Sequence, residues 1–178
     1  ETGGTGPAAA DGGTVLSDAE SVLAAAVDRA EARIDALLSR EGRNHAEIRS
    51  KIQETMTANV NVFREEGRLE ETLTDIREAR DAYKTVAVSD PSRTFNTDLM
   101  HTIETRNILD IAEALTMGAL AREEFRGAHW RKNHQERKDG EWLKHTFVSW
   151  NDGEPELWYK PAVLDGEKRS YEPKSRSY

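Results

Sequence analysis

One run limits what this 178-residue chain can fold into. Ile108 to Ala121 reads I-L-D-I-A-E-A-L-T-M-G-A-L-A, with Asp110 and Glu113 its only charges. A surface helix shows one apolar stripe and is polar elsewhere. Here Ile108, Leu109, Ile111, Ala112, Ala114, Leu115, Met117, Ala119 and Leu120 cover nearly the whole circumference. Such a helix needs protein on most sides. The apolar run falls short of the roughly 18 residues that suggest a membrane span, and both ends are polar. Thr97 to Phe125 is therefore expected to be the central, most buried helix of a helical core, with Ile108, Ile111, Leu115 and Leu120 inside.

The flanking pattern agrees. Ser17-Asp18-Ala19-Glu20 forms a capping box, in which hydroxyl and carboxylate satisfy each other's backbone N–H groups. Leu23, Val27, Ala30, Ile34 and Leu37 then recur at 4,3,4,3 spacing, one helical face. Asn44-His45-Ala46-Glu47 offers a second box, followed by Ile48, Ile52, Met56, Val60 and Phe63. Gly67 breaks that pattern, and Leu69, Leu73, Ile76 and Tyr83 carry a third helix. Ser89-Asp90-Pro91-Ser92 is a turn cluster, after which Asn96 or Thr97 caps the central helix. Short connections favour antiparallel neighbours. The expected fold is all-α: an up-and-down antiparallel bundle, spectrin-repeat-like, with helices near 17–41, 44–66, 68–87 and 97–126.

Beyond His129 the periodicity changes. Trp142 to Trp150 is rich in β-branched and aromatic residues, Asn151 to Pro155 is a turn signal, and Glu156 to Val163 follows. This predicts a C-terminal β-hairpin appendage near 142–163, with Pro161 restricting its strand to an edge. The expected organisation is a Gly-rich linker or cut edge over 1–16, the bundle over 17–130, and an Arg/Trp-rich loop, hairpin and extended tail over 131–178.

A formal charge of −8 opposes general nucleic-acid binding. There is no Cys, so thiolate metal sites and cysteine nucleophiles are excluded. Gly4-Thr5-Gly6 lacks the preceding strand and following helix of a dinucleotide fingerprint. The histidines offer no i,i+4 pair, and cations crowd most of them, so no metal site is expected. No nucleophile stands beside a base with a third orienting group. Chemistry concentrates in Arg122 to His145. Arg122, Arg126, His129, Trp130, Arg131, Arg137, Trp142, Lys144 and His145 form a candidate docking set, because Arg forks bind carboxylates and carbonyls and interfaces favour Arg and Trp. Glu123, Glu124, Glu136, Asp139 and Glu141 lie among them and would repel phosphate. The residues alone leave open a free-standing helical module that binds an acidic partner.

Several stretches resemble the C-terminal domain of the flavoprotein subunit of succinate dehydrogenase and fumarate reductase. Arg126-Gly127-Ala128-His129 and Trp142-Leu143-Lys144-His145-Thr146 are similar to two motifs of that family. Gln53-Glu54-Thr55-Met56, Asn59 to Arg64, Phe95 to Leu99, Arg106 to Ala114 and the ending Tyr171 to Tyr178 also resemble it, in order. Phe125 departs from a usual Ser, and Lys132 to Gln135 replaces a common acidic-Asp-Tyr-Pro segment. The related L-aspartate oxidases share the bundle but lack the Trp-Leu-Lys-His hairpin. The resemblance implies a fragment with no catalytic, cofactor or metal residue of its own. FAD would belong to a flavin domain preceding it in the full subunit. The partners implied are that domain and an iron–sulfur subunit, with the membrane reached only through anchor subunits. It also implies a cytoplasmic location, peripheral to the inner face of the cell membrane.

Overall fold

The computed structural model describes residues 12–166 and 169–174, with side chains from Ala19 onward. In chain order the elements are α1 (Gly12–Ser39), α2 (Ala46–Asn59), β1 (Phe63–Arg64), α3 (Glu66–Tyr83), α4 (Thr97–Ala121), β2 (Trp130–Arg131), α5 (Asp139–Trp142), β3 (Lys144–Asn151) and β4 (Glu154–Pro161). Most of the expected 1–16 linker lies outside the described residues.

The helical core has three members. Lys51 meets Asp75 and Asn59 meets Thr72, so α2 and α3 run antiparallel. Arg77 reaches Glu113 and Tyr83 donates to the Thr102 carbonyl, so α3 and α4 also run antiparallel. Ile48, Ile52, Ile76, Ala79, Tyr83, Val86, Leu109 and Ala112 pack between them. Val60, Leu69 and Ala119 continue the core toward the far end.

Three expectations need correction. First, α1 is no full bundle member. Its face from Leu23 through Val27 to Ala30 is exposed, and only Leu37, 3% exposed, enters the core. It also begins at Gly12, before the Ser17 box, whose side chain lies outside those described. Second, the helix expected over 44–66 stops at Asn59, Phe63 lies in β1, and Gly67 lies inside α3 instead of separating two helices.

Third, α4 is buried along one stripe, not all round. Ile111 is 65% and Leu115 45% exposed, while Ile108 and Leu120 are half-buried. The inward row is Thr102, Thr105, Leu109, Ala112, Glu113, Thr116 and Ala119. Threonine counts as polar in a periodicity reading. Here the Thr105 and Thr116 hydroxyls donate to carbonyls one turn back, at His101 and Ala112. Satisfied in this way, they can occupy the core. Ile111 and Leu115 then fall on the opposite side.

Asn96 caps α4 by accepting from the Leu99 N–H at 2.8 Å, and its amide donates to the Asp90 and Ser92 carbonyls. This places Phe95 at φ 51, with its ring 98% exposed. The hairpin pairs Lys144 with Pro161 through Asn151 with Glu154. It turns at Asp152 and Gly153, both at positive φ, the geometry that matches strand twist. It leans on the bundle, as an isolated two-stranded hairpin must. Arg80 lies 4.6 Å from the Trp150 ring centroid, and Thr146 faces Gly118 of α4.

The segment after α1 is held by a short exchange with the α3–α4 loop. Arg43 donates to the Thr85 carbonyl at 3.2 Å and accepts from Ala87 at 3.0 Å. A Cβ at Gly42 would stand 2.1 Å from the Thr85 carbonyl oxygen, a backbone atom that cannot swing away. Gly42→Ala should therefore lower stability by about 1–3 kcal/mol, read as a lower urea midpoint with unchanged slope. Gly140, with open space around its Cβ position, supplies the control. Gly140→Ala should stay within about 0.5 kcal/mol of the parent.

Candidate functional site

The cation-rich segment begins where α4 stops. Arg122 closes the helix by donating its backbone N–H to Gly118. Its guanidinium then spreads over the returning chain. Nη1 donates to Glu124 at 2.5 Å and to the Trp142 carbonyl at 3.0 Å, and Nη2 donates to the Lys144 carbonyl at 2.5 Å. Arg126 grips the same carboxylate from the other side. Its Nε and Nη2 donate to the two Glu124 oxygens at 2.6 and 2.9 Å, and Nη2 also reaches Asp139 at 2.7 Å. Arg137 shares Asp139 at 2.7 Å, and the Lys138 N–H donates to Glu124 at 3.0 Å.

Glu124 is thus a hub with a fully buried side chain. Burial pushes its carboxyl pKa up. The Arg126 fork, the Lys138 N–H and Arg122 outweigh that and hold it below the usual carboxylate range. Asp139 is held low by Arg137 first and Arg126 second.

Gly127, at φ 59, lets the chain reverse so that Arg126 and His129 exchange both backbone bonds at 3.0 Å. His129 then reaches the Arg122 carbonyl with Nε2 at 2.9 Å. A carbonyl only accepts, so Nε2 carries the proton. Nδ1 is left to accept from Arg64 Nη1 at 2.5 Å. The imidazole is therefore neutral, in one tautomer. Burial lowers its pKa most, the Arg122 carbonyl opposes this, and the Arg64, Arg131 and Arg122 charges lower it further. Arg64 is fixed in turn by the Asn61 carbonyl at 2.7 Å and by Val60.

Arg131, 1% exposed, donates to the Ala119 and Leu120 carbonyls at 3.0 and 2.7 Å, satisfying the end of α4. It sits there because β1 and β2 pair in parallel, Phe63 with Trp130 and Arg64 with Arg131. Trp142 lies beneath two cations, the Arg122 guanidinium carbon 5.1 Å and Lys144 Nζ 4.4 Å from its ring centre.

The structure gathers Arg122, Arg126, His129, Arg137, Trp142 and Lys144 around Glu124 and Asp139. Arg131 stands apart at the helix end. Trp130 and His145 face outward. Trp130, 40% exposed, packs on Phe63, 70% exposed, at 5.0 Å between centroids, and Phe125 meets its edge at 5.7 Å. His145 is exposed on the hairpin's outer face, edge-on to Phe147. Sequence reasoning missed Glu124, Asp139 and Arg64. The two carboxylates were legible only as phosphate repellers. The available signal was Arg122-x-Glu124-x-Arg126, a carboxylate between two forks at the end of a helix.

A family model described as the fumarate reductase flavoprotein C-terminus matches residues 49–178, from α2 through the hub and hairpin. The chain is 37% identical over 153 residues to the fumarate reductase flavoprotein subunit of Haemophilus influenzae, covering 83% of this chain and 26% of that protein. It is 40% identical over 120 residues to the succinate dehydrogenase flavoprotein subunit of Rickettsia felis, covering 67% and 20%. A solved quinol fumarate reductase chain from E. coli superposes with a TM-score of 0.74 at 29% identity, over 95% of this chain and 27% of its own. Adenylylsulfate reductase of Archaeoglobus fulgidus, at 20% identity and a TM-score of 0.51, shares the fold alone. The family match and these relatives make this helical domain with its hairpin the C-terminal domain of a flavoprotein subunit. The chain belongs to the succinate dehydrogenase/fumarate reductase flavoprotein subunit family, and it spans about a quarter of the length of the curated relatives it matches.

Two expectations follow from the hub. Glu124→Gln removes the charge that two forks share, and should cost about 3 kcal/mol, read by urea unfolding at neutral pH. His129 gives a pH signature. Its folded pKa is depressed, so on acidification below about 6.5 the unfolded chain takes a proton that the native fold resists. Its stabilising contribution is full above that pH and is lost as pH falls toward the folded pKa. His45, also depressed, mainly by burial, adds in the same sense. His129→Gln keeps a donor toward Arg122 and removes the titration. Its melting temperature should fall less steeply between pH 7 and 5 than the parent's (about the range in which imidazole titrates).

Proposed function

We propose that this chain is the docking domain at the C-terminal end of a flavoprotein subunit that interconverts succinate and fumarate. In that reading a preceding domain holds FAD, and two electrons pass through an iron–sulfur subunit to quinone. The complex is peripheral to the inner face of the cell membrane, attached through anchor subunits. No helix among the described residues is long and apolar enough to cross a membrane, which agrees with attachment through other chains.

FAD does not fit the described residues as a primary site. They contain no strand that leads through a glycine loop into a helix N-terminus, and the cation-rich segment lies at the C-terminal end of α4. What the residues do is hold shape. Glu124 and Asp139 neutralise Arg122, Arg126 and Arg137, and His129 locks Arg64. Together they fix a non-helical stretch that would otherwise be mobile. The observation that carries the docking reading is the Trp130–Phe63 pair, two large exposed aromatics, one on that braced segment and the other beside it on β1. Such residues cost solubility alone but supply binding energy at an interface. His145 on the hairpin extends the outward set.

The test uses Trp130→Ala and Arg126→Ala, each made in the longer polypeptide and in the 178-residue chain. Trp130 is 40% exposed and rests on Phe63 and Phe125, so its loss should lower the chain's melting only moderately. In the subunit it should weaken assembly with the iron–sulfur subunit by about tenfold or more, equivalent to at least about 1.4 kcal/mol. Arg126 serves the hub, so its loss should lower stability in both contexts. Equal, small effects of Trp130→Ala in both would remove the docking role. Stoichiometric FAD on the 178-residue chain, or a longer polypeptide with no succinate-dependent dye reduction, would remove the functional reading as a whole.

A further inference from the structure

Beside the C-terminal end of α1, the groove between α3 and α4 deepens into a cavity of about 710 Å³. Leu37, Leu109 and Tyr83 stand among its walls, and the hairpin turn lines it where Arg80 meets the Gly153 carbonyl. Its cations fall into two groups. Arg77 and Arg80 are committed to Glu113, Arg80 also to Asp110 at 3.6 Å, and Lys84 to Asp81 at 2.6 Å. Arg33 of α1, Arg40 just beyond it and Arg106 of α4 are not so committed. Arg106 comes no nearer to Asp110 than 3.9 Å. Arg40 donates through Nη1 to the Lys84 carbonyl at 2.9 Å, while its Nε is buried with no partner. Arg33 meets the Tyr83 hydroxyl. Carboxylates are not scarce in a chain with 33 acidic residues against 25 basic ones. Even so, none among the described residues pairs with Arg33 or Arg40. The three guanidiniums converge on Tyr83. Its hydroxyl donates to the Thr102 carbonyl at 2.8 Å, so its oxygen is left to accept. Burial raises the phenol pKa, and the charges of Arg33, Arg106 and Arg40 pull against that.

We propose that Arg33, Arg40 and Arg106 form a binding site for a compact dianion, a short dicarboxylate or a phosphate group, seated beside the Tyr83 hydroxyl between α1 and α4. Guanidinium forks match the planar and tetrahedral oxygens of both groups. A buried donor without an acceptor is costly, and the anion supplies the acceptor that Arg40 Nε lacks. The other walls limit its shape. Asp110, Glu113, Asp152 and Glu154 line the same cavity and repel negative charge extended along it. A nucleic-acid strand or a polyphosphate is thereby excluded, and a ligand with its charge gathered at the arginines is favoured. Leu37 and Leu109 offer a small apolar surface to the carbon skeleton of such a ligand. The site is built from this chain's own residues and does not depend on the docking reading.

The test is titration of the 178-residue chain with glutarate and, separately, with inorganic phosphate, at an ionic strength held constant with sodium chloride. Nitrogen-15 spectra of the arginine side chains should report one saturable site, with the Arg40 Nε–H resonance among those that move. Arg33→Gln, at an exposed position that leaves the fold intact, should weaken binding at least about tenfold, as loss of a charge-assisted fork does. Arg40→Lys keeps the charge but not the fork, and should weaken binding as well. Arg29→Gln removes the same charge from α1 outside the cavity, and should leave the affinity within about twofold, because salt screens distant surface charge. Saturation by glutarate alone assigns the site to a dicarboxylate, and saturation by phosphate alone to a phosphate group. Either result, or saturation by both, sustains the proposal. Saturation by neither overturns it. So does an equal loss from Arg29→Gln and Arg33→Gln, which is the mark of a diffuse attraction, and so does binding that leaves the Arg40 resonance in place.

Discussion

Everything after α4 depends on one buried carboxylate. Glu124 has no exposed side-chain surface and accepts from Arg122, Arg126 and the Lys138 N–H. A lone carboxylate in that position would be expelled or protonated, and lone guanidiniums would stay in water. Together they make an arrangement in which each member justifies the burial of the others. Arg122 extends it to the backbone at Trp142 and Lys144, which sets where the hairpin starts. Arg126 extends it to Asp139, and Asp139 to Arg137. A segment with little regular structure thereby acquires a defined path.

The bundle uses the same device once more. Glu113 lies inside α4's inward row with its side chain 2% exposed, and Arg77 and Arg80 reach it from α3. Arg80 also pairs with Asp110 at 3.6 Å and lies over Trp150 of the hairpin. Bundle and hairpin are therefore joined by a charged group and a ring as well as by apolar contact. Such links contribute geometry more than net stability, because desolvating the ions offsets much of their attraction. The apolar core of Ile52, Leu69, Ile76 and Leu109, each 0–1% exposed, supplies the larger favourable term.

The four long helices and the hairpin, and their order, were legible in the sequence from periodicity. In contrast, β1, β2 and α5 carry no such signal, and of the expected caps among the described residues only that of α4 is made. Asn96 caps α4, and the Asn151–Pro155 turn closes the hairpin. What the pattern could not show was which side of α4 faces inward. Thr105 and Thr116 satisfy their hydroxyls on their own helix, and that bond has no signature in a hydrophobicity count. The 4,3 repeat on α1 marks an apolar face, but a repeat does not say what covers it. At the site, the Arg, His and Trp residues were visible by type. Their carboxylate partners were not visible by type, since Glu124 differs from its exposed neighbour Glu123 in sequence only by standing two residues from each of two arginines.

The short parallel ladder between Phe63–Arg64 and Trp130–Arg131 also bears on how the chain acquires its structure. It joins strands sixty-seven residues apart, whereas α2, α3 and α4 meet through neighbours in sequence and β3 meets β4 across a tight turn. Closing so long a loop for four backbone groups repays little of its entropy unless the bundle has already brought the ends together. Formation of the ladder is therefore a late event, gated by the packing of α4 on α2 and α3. Arg131 and the His129–Arg64 clamp fall into place with it. During synthesis, residues 130 and 131 leave the ribosome after all three bundle helices, so chain order and contact order agree. The outward aromatic pair of Trp130 and Phe63 exists only once that step is complete, which makes the surface itself a report that the bundle beneath it has folded.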